Sequence, residues 1–171
     1  ASDSYASIKL FTLYVTYLGI LHLGYSDGMY LRVGGESIRT IDKEKAKTEF
    51  NTFKLFQAVV CLAMVIISLC IGDKVLLACA LVVIPVGVAN YIRNLYAAIR
   101  EFKKYSRYTN INTLMIFIVN VILLLIVKTD NYLWYLIAYA VVYFLYWAFI
   151  EYELRKVLGK SKRLFGFEKR Y

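Results

Sequence analysis

The residues of this chain that could do chemistry are few, and they fall on three short stretches. The first is Asn90, Arg93, Asn94 and Arg100, which share one face of a 3.6-residue helix. An arginine carries a permanent charge and a planar fork that binds phosphate or carboxylate through two hydrogen bonds. The stripe therefore reads either as the wall of a vestibule for an anion or as the snorkelling end of a membrane helix. Arg93 sits nearer the apolar run than Arg100 and is the stronger candidate of the two. The second stretch is Tyr132, Tyr135, Tyr139, Tyr143 and Tyr146, recurring every three or four residues. Such a row of aromatic rings with hydroxyls suits a sugar-binding wall, with Tyr139 and Tyr143 at its centre, and equally suits interhelix packing. The third is Asp27 and Arg32, set among Gly24, Gly28, Gly34 and Gly35. A carboxylate at the centre of a membrane helix costs about 2.5 kcal/mol or more. Either Asp27 is solvated where a helix frays, or it pairs with Arg32 and holds the helix end in one of two states.

Nothing here forms a catalytic constellation. His22 is the single histidine, and Cys61, Cys70 and Cys79 lie in or beside apolar runs at spacings unlike a metal motif. They read as small hydrophobes. No acidic cluster and no phosphate-cradling loop occurs, so the residues point to neither an enzyme nor a cofactor.

The elements that must position these side chains are long apolar helices. Of 171 residues 60% are hydrophobic, and the charges are bunched rather than spread. Residues 10–26, 55–72, 75–92, 108–127 and 131–150 contain no Asp, Glu, Lys or Arg. At about 1.5 Å per residue, roughly 18–20 residues cross a hydrocarbon core of about 30 Å. The expected fold is an all-α polytopic membrane bundle forming one domain, 1–171. Its five transmembrane helices run at about 8–32, 53–71, 75–105, 111–127 and 132–158. A polar loop spans 33–50, with a short surface helix near Glu44–Glu49, and a basic tail spans 159–171. The first run has no basic leader and no small-residue cleavage site, which excludes a signal peptide. Thr12, Thr16 and Gly19 give it a small-and-polar stripe, for close packing or a wet cavity. Gln57 and Asn120 are expected to hydrogen-bond neighbouring helices. Pro85, followed by Gly87, is expected to kink the third helix and act in gating.

The basic residues alternate from one end of the bundle to the other. Of 21 Lys and Arg, 18 fall in 32–54, 93–107 and 155–170, leaving Lys9, Lys74 and Lys128 at the opposite end. Basic loops face the cytoplasm, which places the C-terminus inside and the N-terminus outside. The formal net charge of +9 thus belongs to helix ends and does not argue for nucleic acid. An outside N-terminus beginning at Ala1 leads to the expectation of a further helix upstream, and the tail of a loop leading onward.

The stretch Tyr17-Leu-Gly-Ile-Leu-His-Leu-Gly-Tyr-Ser-Asp27-Gly-Met-Tyr-Leu-Arg32-Val-Gly-Gly35 resembles a segment of bacterial polysaccharide and oligosaccharide flippases. These belong to the multidrug/oligosaccharidyl-lipid/polysaccharide exporter superfamily. In that family a pattern of the form hLGYsDGhYLRhGG, with h apolar, closes the second transmembrane helix. The resemblance implies that the five helices correspond to helices two to six of a longer chain, most of one lobe of a two-lobe transporter. It implies a bacterial inner-membrane protein that moves a lipid-linked glycan by alternating access. Its partners would be membrane lipids, that glycan and the remaining helices. Candidate substrate contacts from the residue reading are Asn90, Arg93, Arg100, Tyr139 and Tyr143, and candidate gating residues are Asp27, Arg32 and Pro85. Two rival classes stay open. A drug/cation antiporter of the same superfamily would favour acidic cavity residues, and a small membrane interaction protein would transport nothing.

Overall fold

A computed structural model describes residues 2–37, 40–127 and 131–158. The expected turn at 128–131 therefore falls largely, and the tail 159–171 wholly, outside the described residues. Most of the described chain is helical. α1 (Ser2–Leu18) leads through a 3-10 turn (Gly19–His22) to α2 (Tyr25–Val33), followed by α3 (Lys43–Ile71) and α4 (Lys74–Ala98). α5 (Phe102–Ile122) ends in a π-helical turn (Leu123–Val127), and α6 (Tyr132–Leu158) follows. Five segments are long and apolar enough to cross a bilayer: Ser4–His22, Lys43–Ile71, Lys74–Ala98, Phe102–Leu125 and Tyr132–Lys156. This is the architecture of a multi-pass membrane protein.

α4 is the centre of the bundle. Two-thirds (67%) of its most apolar window is buried, against 11% for α1, α3 and α5. α1, α2, α3, α5 and α6 all pack against it. The outer helices expose large apolar side chains such as Leu62, Leu69, Leu114, Phe117 and Ile137. In water that surface would be a liability, whereas in lipid it is the expected boundary. The α3–α4 hairpin is closed by local chemistry. Gly72 takes the left-handed conformation (φ 76°), and the Asp73 carboxylate caps α4 by accepting from the Val75 and Leu76 amides at 2.7 and 3.2 Å. Asp42 caps α3 in the same way, accepting from Glu44 and Lys45.

Three boundaries differ from the sequence reading. The expected helix 8–32 is broken: Leu23 and Gly24 are both left-handed (φ 46° and 76°), which turns the chain between α1 and α2. The fully buried Gln57 amide donates to the carbonyl of Leu21 in that turn, at 3.4 Å. A backbone acceptor released by the break is thereby partnered inside the bundle. Second, 43–50 is neither loop nor separate surface helix but the first two turns of α3. Phe50 and Phe53, both fully buried, dock that extension onto Tyr91 of α4. Third, the expected helix 75–105 stops at Ala98. Arg100 turns the chain with φ 59°, and α5 starts at Phe102 rather than at 111. In the second and third cases charged helical turns extend an apolar span, and in the first the break falls inside an apolar run, so charge-free runs reveal none of the three.

Pro85 lies inside α4 and is buried. One turn before it, the Cys61 thiol donates to the carbonyl of Ala80 at 3.2 Å, a contact from α3 to the stretch that proline disturbs. Gly87 lets α3 come close along the same seam. A Cβ there would lie 2.9 Å from Oε1 of Gln57.

Candidate functional site

A half-open cavity of about 450 Å³ lies among four helices. α1 contributes Phe11, Thr12, Val15 and Thr16, and α4 contributes Val86, Ala89, Asn90 and Arg93. α5 contributes Asn112, Ile116 and Asn120, and α6 contributes Tyr139 and Tyr143. Each set follows from helical periodicity. Residues 12 and 16, 86, 89, 90 and 93, 112, 116 and 120, and 139 and 143 are three or four apart, so each helix turns one polar strip inward.

Arg93 is the one charged group of this lining. It lies five residues before the end of α4, about 7–8 Å along the axis. Among the described residues no carboxylate comes within ion-pair distance of it. Its guanidinium donates instead to Oδ1 of Asn90, one turn earlier on the same helix. That contact uses one of five N–H donors and leaves most of the fork for water or a ligand. Gly19 makes the arrangement possible from the other side, since a Cβ there would stand 3.3 Å from Nδ2 of Asn90. At the far end of the cavity Tyr139 donates its hydroxyl proton to Oδ1 of Asn120, at 2.5 Å, tying α6 to α5. Between these ends Oδ1 of Asn112 is buried with no hydrogen-bond partner. The threonines are self-satisfied: Thr12 donates to the carbonyl of Ile8 and Thr16 to that of Thr12. The cavity thus offers one uncompensated cation, side-chain amides and several hydroxyls.

Of the five residues expected to contact a substrate, Asn90, Arg93, Tyr139 and Tyr143 line this cavity, and Arg100 does not. Arg100 is exposed in the α4–α5 turn. The tyrosine stripe divides: Tyr139 and Tyr143 face the cavity, while Tyr146 is buried and donates to the carbonyl of Tyr108 at 2.8 Å. Of the two readings of Asp27, the pair with Arg32 is not formed. Asp27 is exposed, and Arg32 reaches the Glu49 carboxylate on α3 instead. The cause is α2 itself. Positions 27 and 32 are five residues apart and point to different sides of a helix, and α3 extends far enough to bring Glu49 alongside. Asn112 was missed by sequence reasoning, although its spacing of eight residues to Asn120, about two helical turns, was a usable signal.

Among the described residues no group of three His, Cys, Asp or Glu converges to hold a metal ion. Comparison with protein-family models, curated proteins and solved structures finds no match for the chain.

Proposed function

We propose that this chain forms the substrate-facing part of one lobe of a two-lobe bacterial inner-membrane transporter. It would move a lipid-linked oligosaccharide or polysaccharide repeat unit by alternating access, with its basic end toward the cytoplasm. One observation carries the reading: a cavity within membrane-crossing helices whose lining holds a single arginine and no carboxylate. A diphosphate brings at least two negative charges into a partly dehydrated space and demands a cation there. Arg93 supplies one with its remaining donors unengaged. Sugar hydroxyls both donate and accept, and Asn112, Asn120, Tyr139 and Tyr143 offer both kinds of group. The same lining disfavours a drug/cation antiporter, because a cationic substrate would meet Arg93 and find no acidic partner.

The test is retention of a radiolabelled polyprenyl-diphosphate oligosaccharide by the purified protein in detergent micelles. A hydrogen bond to a charged group contributes about 1.5–3 kcal/mol. Arg93→Gln is therefore expected to weaken retention roughly tenfold or more, with Arg93→Lys in between. Retention by Arg93→Gln equal to that of the unaltered chain would remove Arg93 from the site and the proposal with it.

A further inference from the structure

A second charged cluster lies outside the cavity, where α3 meets α6. The Glu151 carboxylate is met by Lys54 Nζ at 3.2 Å to both oxygens, by Lys47 Nζ at 3.5 Å and by Arg155 Nε at 3.9 Å. Three cations thus share one carboxylate. The neighbouring acids are engaged elsewhere, Glu49 with Arg32 and Glu153 with Lys156. Lys47 is not a freely solvated lysine, for its side chain is only 8% exposed, and that of Lys54 is 23% exposed. Both ammonium groups also stand over the ring of the buried Phe50, at 5.3 and 4.8 Å from its centroid. That ring holds two like charges side by side despite their repulsion. Two partly desolvated lysines thus share one carboxylate, with the exposed Arg155 at its edge, and this surplus of positive charge attracts an anion.

Depth identifies the anion. Lys54 is nineteen residues from Asp73 at the α3–α4 turn, about 28 Å along the helix, and Lys47 is about 39 Å from it. Glu151 is likewise nineteen residues, about 28 Å, from Tyr132 at the start of α6. With a hydrocarbon core of about 30 Å, all three groups fall at the level of phospholipid headgroups. On the membrane side of the cluster the same helices expose Leu55, Val59, Phe144 and Leu145, apolar surface for acyl chains. We infer that Lys47, Lys54 and Arg155, arranged around Glu151, bind the phosphodiester of an anionic phospholipid at the basic end of the bundle. In this site Glu151 orients the two lysines and competes with the phosphate for them. The inference does not depend on what the cavity carries.

The experiment is native mass spectrometry of the full chain released from nanodiscs of phosphatidylcholine with and without phosphatidylglycerol. Phosphatidylglycerol is expected to be retained selectively. Each of Lys47→Gln and Lys54→Gln should weaken its retention roughly fivefold, the attraction of one cation to an anionic surface. Glu151→Gln removes the competing carboxylate and should strengthen retention by a similar factor. A clamp with no ligand predicts no gain in lipid for that variant, whatever its thermal stability. Glu151→Gln also decides the matter if the lysine variants fail to fold. Equal retention of both lipids by the unaltered chain would overturn the inference. So would displacement by inorganic phosphate without any selectivity between lipids, which would mark the cluster as a site for soluble phosphate.

Discussion

Arg93 and the lysine pair on α3 are both cations held inside a membrane protein, yet they are treated in opposite ways. Lys47 and Lys54 close on the carboxylate of Glu151 from another helix, and a buried aromatic ring supports them. Arg93 is held by an amide of its own helix and has no carboxylate in reach among the described residues. The first arrangement ties α3 to α6. The second ties nothing together, because the Asn90–Arg93 contact lies within α4. A charge paired across two helices contributes to the stability of the bundle, whereas a charge that joins none and borders a cavity contributes little to it. Water or a substrate must then supply its countercharge.

Three substitutions put that comparison to the test. The largest effect belongs to Lys54→Glu, which would set a second carboxylate against Glu151 and leave Lys47 and Arg155 to neutralise both. Breaking a buried pair costs about 3–5 kcal/mol, and a loss near the lower figure is expected here, since the lysine is partly exposed. Unfolding in bicelles reads it, and Glu151→Lys in the same chain should recover most of the loss. Failure of that recovery would show that the cluster contributes no pairwise energy. A middle effect is expected for Tyr139→Phe. It removes the α6–α5 hydrogen bond and strands Oδ1 of Asn120, at a cost of about 0.5–1.5 kcal/mol. The smallest belongs to Arg93→Gln. As no ion pair is broken, stability should change by less than about 0.5 kcal/mol, even where ligand retention falls. A destabilisation as large as that of Lys54→Glu would mean that Arg93 is structural and erase the contrast.

The polar residues of the cavity were legible to different degrees. Arg93, Asn90, Tyr139 and Tyr143 stand out because a polar face on an apolar helix needs a reason, and periodicity shows which residues share it. What periodicity cannot show is which faces turn toward each other. Asn112 gained its meaning only when α5 was placed against α1, α4 and α6. Arg100 lies on the same predicted face as Arg93, but the left-handed turn at Arg100 ends α4 first and puts that side chain outside. Asp27 and Arg32 are close in sequence and attractive as a pair, yet Glu49, seventeen positions from Arg32, is the partner that the fold provides.

By itself the sequence determined that this chain holds five stretches long and apolar enough to cross a bilayer and that the basic residues gather at one end of them. Both follow from local rules, since hydrocarbon accepts only a helix of sufficient apolar length and excludes unpaired charge from its centre. The tertiary structure alone decided where helices break and what each buried polar group touches. Leu23 and Gly24 can turn the chain because Gln57, from another helix, partners the carbonyl of Leu21. Lys47 can enter the bundle because Glu151 and Phe50 are there to receive it. A buried polar group is stable only with a partner, and that partner is chosen by packing between segments far apart in the chain.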